Sequence, residues 1–336
     1  MALIEMKNVT KEFKTLKRQK GILNIIKSII SKEFEIKKAV DNISLSIDRG
    51  ELVGYIGPNG AGKSTTVKML SGILTPSAGK IFIDGMVPHE NRKENAMKIG
   101  VVFGQRSQLY WDLPMEDTFQ LYKKMYKVDD KTYRRNVDFY VELLEMQEFL
   151  HRPVRQLSLG QKMRGNLAIA LLHDPNIVYL DEPTIGLDVV AKSNIRKFIR
   201  EINKEKNTTV ILTTHDMDDI EQICSRLVMI DQGRVIYDGS LDSFKVKYGS
   251  EYVLAVDFED ENTIISDPRL KVIKEQGRSK HILFDKRTVG VANVIVSITQ
   301  NYKITDISIK EADIEDVVRE IYINNKITEN KCIAIG

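Results

Sequence analysis

Residues 57–65 read GPNGAGKST and follow the apolar run ELVGYI. The string fits G-x-x-x-x-G-K-[ST], with a strand before it and the helix-like TTVKMLSGI after it, which is the setting a phosphate loop requires. Gly57, Gly60 and Gly62, with Pro58, Asn59 and Ala61 between them, let successive backbone N–H groups curl around a β-phosphate. The dipole of the following helix favours the same charge. Lys63 supplies a point charge toward the β and γ oxygens, Ser64 can ligate Mg²⁺, and Thr65 ends the loop. A second apolar strand, IVYLDEP (177–183), ends in two carboxylates. Beside the loop, Asp181 would face the metal and hold it, usually through water. Glu182 would face the end of the γ-phosphate, where a base orients the attacking water. TTH (213–215) closes the next apolar strand, so His215 could reach the γ-phosphate. Gln105, after IGVVFG, could touch Mg²⁺ or the water without adding charge. His89, His151, His173 and His281 read as surface or packing residues.

A second anion-binding opening lies a hundred residues on. LSLGQ (157–161) starts another helix, and Ser158 with the N–H groups around Gly160 could cap a phosphate. One face of the nucleotide is already taken by the first loop, and the helical segment carrying LSLGQ is expected to project away from Lys63. The economical arrangement has LSLGQ read the γ-phosphate held by a second copy, so that two chains set head to tail enclose two nucleotides.

The elements that must position these groups follow from pattern. LIEMKN, NISLSID, ELVGYIG and KIFIDG read as short strands. They are interrupted by a basic insertion over 11–38, with nine Lys or Arg against three Glu. Within it Ile22, Ile25, Ile26 and Ile29 fall on one helical face, which suits either an anionic membrane surface or the chain's own sheet. Helical patterns fill a lobe over about 110–172. From 177 to 239 strands alternate with helices, which argues for a mainly parallel sheet with helices on its faces. A separate small α+β unit is expected over 251–336, ending in the helix EADIEDVVREIYI. No residue there has a chemical signature, and it reads as a spacing or dimer-contact module or as a small-molecule sensor.

With 336 residues and 42% apolar composition the chain supports two folded domains. A net charge of +3 does not point to nucleic acid, and none is expected as a partner. Cys224 and Cys332 have no CxxC spacing, so neither zinc nor a disulfide framework is indicated. The start MALIEMKNVT has no secretory pattern, and no stretch approaches the ~18–20 apolar residues of a membrane span. A soluble cytosolic chain is expected, with any membrane work done by a partner.

In order and spacing, GPNGAGKST, Gln105, LSLGQ, YLDEP, IGLD (185–188) and His215 resemble the ATPase subunits of ABC transporters over about 1–240. The resemblance implies an α/β fold of the P-loop NTPase class, an ABC cassette over 1–245 with a mixed-sheet core and helical subdomain, plus the small C-terminal α+β domain. It makes 57–65 the Walker A loop, Gln105 the residue that senses Mg²⁺ and the membrane partner, and Leu157 to Gln161 the signature facing the opposite subunit's ATP. It makes Asp181 the Walker B aspartate, Glu182 the catalytic glutamate, Asp188 the D-loop aspartate and His215 the switch histidine. The usual LSGGQ has Leu159 at its third position here, and Ile185-Gly186 replaces the commoner Ser-Ala. The aromatic that stacks on adenine is implied at Phe34, whose spacing fits the family better than that of Phe13.

VVFGQRSQLYWDLP and LSLGQKMRGNLAIALLHDP resemble a bacterial branch of type-2 exporters, whose permeases are separate polytopic chains. The implied work is ATP hydrolysis driving export from the cytoplasmic face of the membrane. The implied partners are permease subunits and a second ATPase chain, identical or not. Tyr110 and Trp111 would meet the permease or pack within the helical lobe. Two alternatives stand beside export: a soluble mechanical or regulatory ABC ATPase, and an importer ATPase with 251–336 as its regulatory domain.

Overall fold

The computed structural model describes residues 2–16, 34–104, 107–248 and 251–311, together with 314–315, 317–319 and 321–323. The chain divides into two compact units, Met1–Gly239 and Ser240–Gly336.

The first unit holds two sheets. β1 (Ile4–Leu16) pairs antiparallel with β2 (Phe34–Ile47) and with β4 (Ala78–Ile83). The larger sheet has the order β5-β6-β7-β3-β8-β9. Its members are β3 (Leu52–Ile56), β5 (Ile99–Phe103), β6 (Ile177–Asp181), β7 (Thr209–Thr213), β8 (Arg226–Asp231) and β9 (Arg234–Ser240). The pairs from β5 to β8 are parallel. Residues Ile177, Val178, Tyr179 and Leu180 of β6 are all buried, as the strand's unbroken apolar run requires when both faces of a sheet are covered. Parallel register sets Asp181 beside Phe103 on one side and Thr213 on the other, so three strand ends meet at one edge.

Residues 11–16 and 34–38, read from sequence as part of a basic insertion, instead continue β1 and β2 as a long hairpin. Opposite charges face each other across it at Glu12–Lys38, and Phe13 faces Lys37. Such cross-strand pairs let a charge-rich segment hold strand geometry. The expected isoleucine stripe at 22–29 lies outside the described residues.

The helical lobe contains Met115–Tyr126, Asp130–Leu143 and Leu159–Leu171. His173 ties it to β5: its ring stacks on Tyr126 at 3.9 Å, and its Nε2–H donates to the Ile99 carbonyl at 3.0 Å. Burial pushes its pKa down to about 4, so it packs as a neutral ring. It is a packing residue, as its sequence position suggested.

In the second unit four antiparallel strands run in the order β11-β12-β10-β13: β10 (Glu251–Phe258), β11 (Lys271–Gln276), β12 (Ser279–Asp285) and β13 (Ile304–Glu311). Leu254, Val256 and Phe258 alternate onto one face, where they cluster with Ile282, Phe284 and, from the helix Val291–Asn301, Val294 and Ile298. Residues 314–315, 317–319 and 321–323 are helical, within the last expected helix. Among the described residues no helix is long and apolar enough to cross a membrane.

Candidate functional site

The loop 57–62 connects β3 to the helix Lys63–Leu70. That helix has no side-chain cap and no acidic residue in its first turn, which leaves its leading N–H groups to an anion. Gly62 stands at φ 111°, and a Cβ there would lie 2.3 Å from the Ala39 carbonyl oxygen, so only glycine fits. The Lys63 ammonium donates to the Gly57 carbonyl at 2.6 Å and more weakly to that of Pro58 at 3.4 Å. Burial lowers the Lys63 pKa, and the Glu182 and Asp181 carboxylates oppose that effect. The cation therefore sits in the loop, already facing the two carboxylates.

Ser64 Oγ donates to Asp181 Oδ2 at 3.0 Å, and the Thr213 hydroxyl donates to the same carboxylate. One carboxylate beside one hydroxyl is the donor set Mg²⁺ takes when phosphate oxygens and water supply the rest. No group of three or more His, Cys, Asp or Glu that could hold a metal occurs among the described residues. Ser64 and Asp181 thus fit a nucleotide-bound Mg²⁺ and not a cage built by the protein alone.

Glu182 is held at φ 57°, a region non-glycine residues seldom enter. Three contacts fix it there. Its N–H donates to the Thr213 carbonyl at 2.9 Å, its own carbonyl lies against Gly104, and the Nδ1–H of His215 donates to its Oε2 at 2.7 Å. A Cβ on Gly104 would come within 2.2 Å of the Glu182 carbonyl oxygen, and the Gly104 N–H donates to the Asp181 carbonyl at 2.7 Å. Strain of this kind, over-determined by neighbours, is characteristic of sites that do chemistry. Glu182, His215, Asp181, Ser64 and Lys63 are brought to one edge. Gln105, the residue after Gly104, lies outside the described residues.

Ser158 caps the helix Leu159–Leu171 in a reciprocal box. The Gln161 N–H donates to Ser158 Oγ at 3.2 Å, and the Ser158 N–H donates to Gln161 Oε1 at 2.9 Å. Asp188 caps the helix Val189–Lys206 by accepting from the Ala191 N–H at 2.8 Å. These bonds are local, and none reaches the phosphate loop. The two openings adjoin: a Cβ on Gly160 would lie 3.5 Å from Ala191 Cβ, and one on Gly186 would lie 3.2 Å from Leu159 Cδ2. Leu159 itself is 51% exposed.

Phe34 opens β2 opposite Leu16, five residues before Ala39, whose carbonyl touches the phosphate loop at Gly62. At ~3.4 Å per residue that is about 17 Å of strand. Phe13 faces Lys37, only two residues before Ala39, and its ring is 39% exposed with the Lys11 ammonium 5.3 Å from its centre. The register therefore sets Phe13 nearer than Phe34 to Ala39 along the strands. Sequence reasoning also passed over Thr213 and Gly104. Thr213 could have been found, because a hydroxyl ending the strand next to an aspartate-ending strand falls beside that carboxylate. Gly104 gave no local signal.

A family profile described as ABC transporter matches residues 40–185. The ABC transporter ATP-binding protein NatA of Bacillus subtilis is 34% identical over 217 residues, covering 65% of this chain and 88% of NatA. The linearmycin resistance ATP-binding protein LnrL of the same organism is 33% identical over 225 residues, covering 67% of this chain and 72% of LnrL. The dimeric structure of an ATP-binding cassette in a post-hydrolysis state bound to ADP and Pi superposes with a TM-score of 0.59 at 28% identity, covering 71% of this chain and 98% of that one. A phosphate loop facing two carboxylates, on a sheet shared with such cassettes, makes this chain a member of the ABC transporter ATP-binding family and the ATP-hydrolysing subunit of a transporter.

Proposed function

We propose that the chain powers export, two ATPase subunits closing head to tail on two ATP molecules and driving separate polytopic permease subunits from the cytoplasmic face of the membrane. The observation that carries the head-to-tail arrangement is Gly160. Its own chain leaves room for a side chain there, since the nearest atom to an added Cβ is at an ordinary 3.5 Å. Glycine in a helix costs up to about 1 kcal/mol relative to alanine. A residue the fold does not need, at an exposed helix opening suited to phosphate, is explained by close approach of a second chain's nucleotide. The outward direction is supported by LnrL, a relative named for linearmycin resistance.

Within each site the loop amides and Lys63 hold the β- and γ-phosphates. Ser64 and Asp181 would hold Mg²⁺, which when bound would neutralise charge on the transferred phosphoryl group. Glu182 orients the water that attacks the γ-phosphorus and accepts its proton as the bond to the ADP oxygen breaks. His215, hydrogen-bonded to Glu182, keeps that carboxylate aimed. Ser158, Gly160 and Gln161 of the opposing chain close over the γ-phosphate, and Asp188 sits in the adjoining loop. We assign the base to Phe13. Phe13→Ala should raise the KM for ATP about tenfold with little change in kcat, as the loss of one base–aromatic stack implies. Phe34→Ala should leave both unchanged, and a reversed pattern in steady-state kinetics would restore Phe34.

Trp111 is 61% exposed, flanked by exposed Tyr110 and Leu113. The Lys162 ammonium, on the helix that LSLGQ opens, lies 4.7 Å from its ring centre, and the Arg155 N–H donates to its carbonyl at 2.9 Å. An exposed aromatic patch bonded to that helix suits a permease contact that moves it. The second unit is a separate domain whose role in this reading is to space or pair the two ATPase chains. Tagging the chain, solubilising native membranes gently and identifying what co-purifies stoichiometrically tests the whole. Polytopic proteins are expected; soluble partners alone would remove export.

A further inference from the structure

A buried polar centre is built around Asp219, on residues outside the phosphate loop. Asp219 has no solvent exposure, and Arg196, Thr184 and Thr214 around it are each buried. The Arg196 Nε–H donates to Asp219 Oδ1 at 2.5 Å. The hydroxyls of Thr184 and Thr214 both donate to the other oxygen, Oδ2, that of Thr214 at 3.2 Å. Arg196 also reaches Asp216 Oδ1 at 3.3 Å, and the Lys192 ammonium donates to Asp216 Oδ2 at 2.5 Å.

The sequence positions of these partners give the centre its meaning. Thr184 stands two residues after Glu182, and Thr214 one residue before His215. One oxygen of Asp219 therefore binds the turn that carries the carboxylate and the turn that carries the histidine. Arg196 and Lys192 come from the helix Val189–Lys206, which starts at the Asp188 cap. The segments at 184, 192–196 and 214–219 are thereby fixed to one another. A buried ion pair is weak evidence for stability, because well-packed apolar replacements often do as well or better. Its use here is geometric.

We propose that Asp219 and Arg196, acting through Thr184 and Thr214, are positioning residues that set the Glu182–His215 pair for hydrolysis and lock it to the helix following Asp188. The proposal rests on the reading of Glu182 and His215 as the hydrolytic pair. None of the four touches substrate, so their loss is expected in kcat and not in ATP affinity.

The variants are chosen to spare the ion pair. Thr184→Val and Thr214→Val each remove one hydroxyl at nearly constant volume, and Thr184→Ser retains the hydroxyl. In the full-length chain, Thr184→Val should lower kcat roughly tenfold to a hundredfold, the scale of a small misplacement of a catalytic group. KM for ATP and Tm should stay close to wild type, and Thr184→Ser should recover most of the rate. In a His215→Ala background, single-turnover hydrolysis should show little further loss from Thr184→Val, since both changes act on the same pair. Wild-type kcat in both valine variants overturns the proposal, as does full additivity with His215→Ala. If Thr184→Val lowers Tm markedly, Thr214→Val decides on the same readouts. Unimpaired turnover in His215→Ala itself would instead overturn the parent reading, so the two failures are distinguishable.

Discussion

Glu182→Gln is expected to bind ATP at least as tightly as the wild type while turnover falls by about 10²–10⁴-fold. The amide is the same size as the carboxylate and sits on the same backbone at φ 57°, so the contacts with Thr213 and Gly104 are retained. What is lost is an oxygen that can take a proton from water. The loop and Lys63 are untouched, and removing one negative charge from the place where a γ-phosphate ends lowers repulsion there. The variant should therefore accumulate as an ATP-bound dimer. Phosphate release reads the first effect, and size-exclusion chromatography with and without ATP reads the second. Hydrolysis within about twofold of wild type would mean that another group activates the water and that the strain at Glu182 serves something else.

The parts of this site that were legible in sequence are those whose chemistry is local. A phosphate loop is nine contiguous residues, and its glycines, lysine and serine must follow a strand and start a helix wherever they occur. LSLGQ announces a helix start because Ser158 and Gln161 are three apart, which is the spacing at which cap and box close. The same locality hides as much as it reveals, since that box gives Ser158 and Gln161 a role inside their own helix. What sequence could not show depends on register between distant strands. Gly104 is required by the carbonyl of Glu182, 78 positions on, and Asp219 gathers hydroxyls from two different loops. Spacing along the chain ranked Phe34 ahead of Phe13, and only the pairing of β1 with β2 shows which of them lies nearer Ala39. The hairpin was obscured for a related reason: Glu12 and Lys38 look like a solvated charge run until they are seen opposite one another.

Gly160→Asp should give the second large effect, and in a way that separates one chain from two. Within its own chain the substitution is mild: the added Cβ meets only Ala191 and Leu187, at 3.5 and 4.0 Å. An acidic residue in the first turn of a helix is also favourable by about 0.3–1 kcal/mol. Tm should stay constant or rise, and a lone chain should bind ATP normally. Hydrolysis should nonetheless fall by about 10²-fold or more, because a carboxylate now faces the γ-phosphate of the opposing subunit in a site that excludes water. Gly160→Ala serves as the control for added bulk without charge. The decisive measurement mixes two inactive proteins. Gly160→Asp has an intact Glu182, and Glu182→Gln has an intact LSLGQ. A heterodimer of the two contains one site with both parts whole and one with neither. If LSLGQ serves the opposite subunit, mixing should restore up to about a quarter of wild-type turnover, as random pairing of two kinds of chain allows. If LSLGQ served the nucleotide of its own chain, every site would remain defective and the mixture would stay inactive.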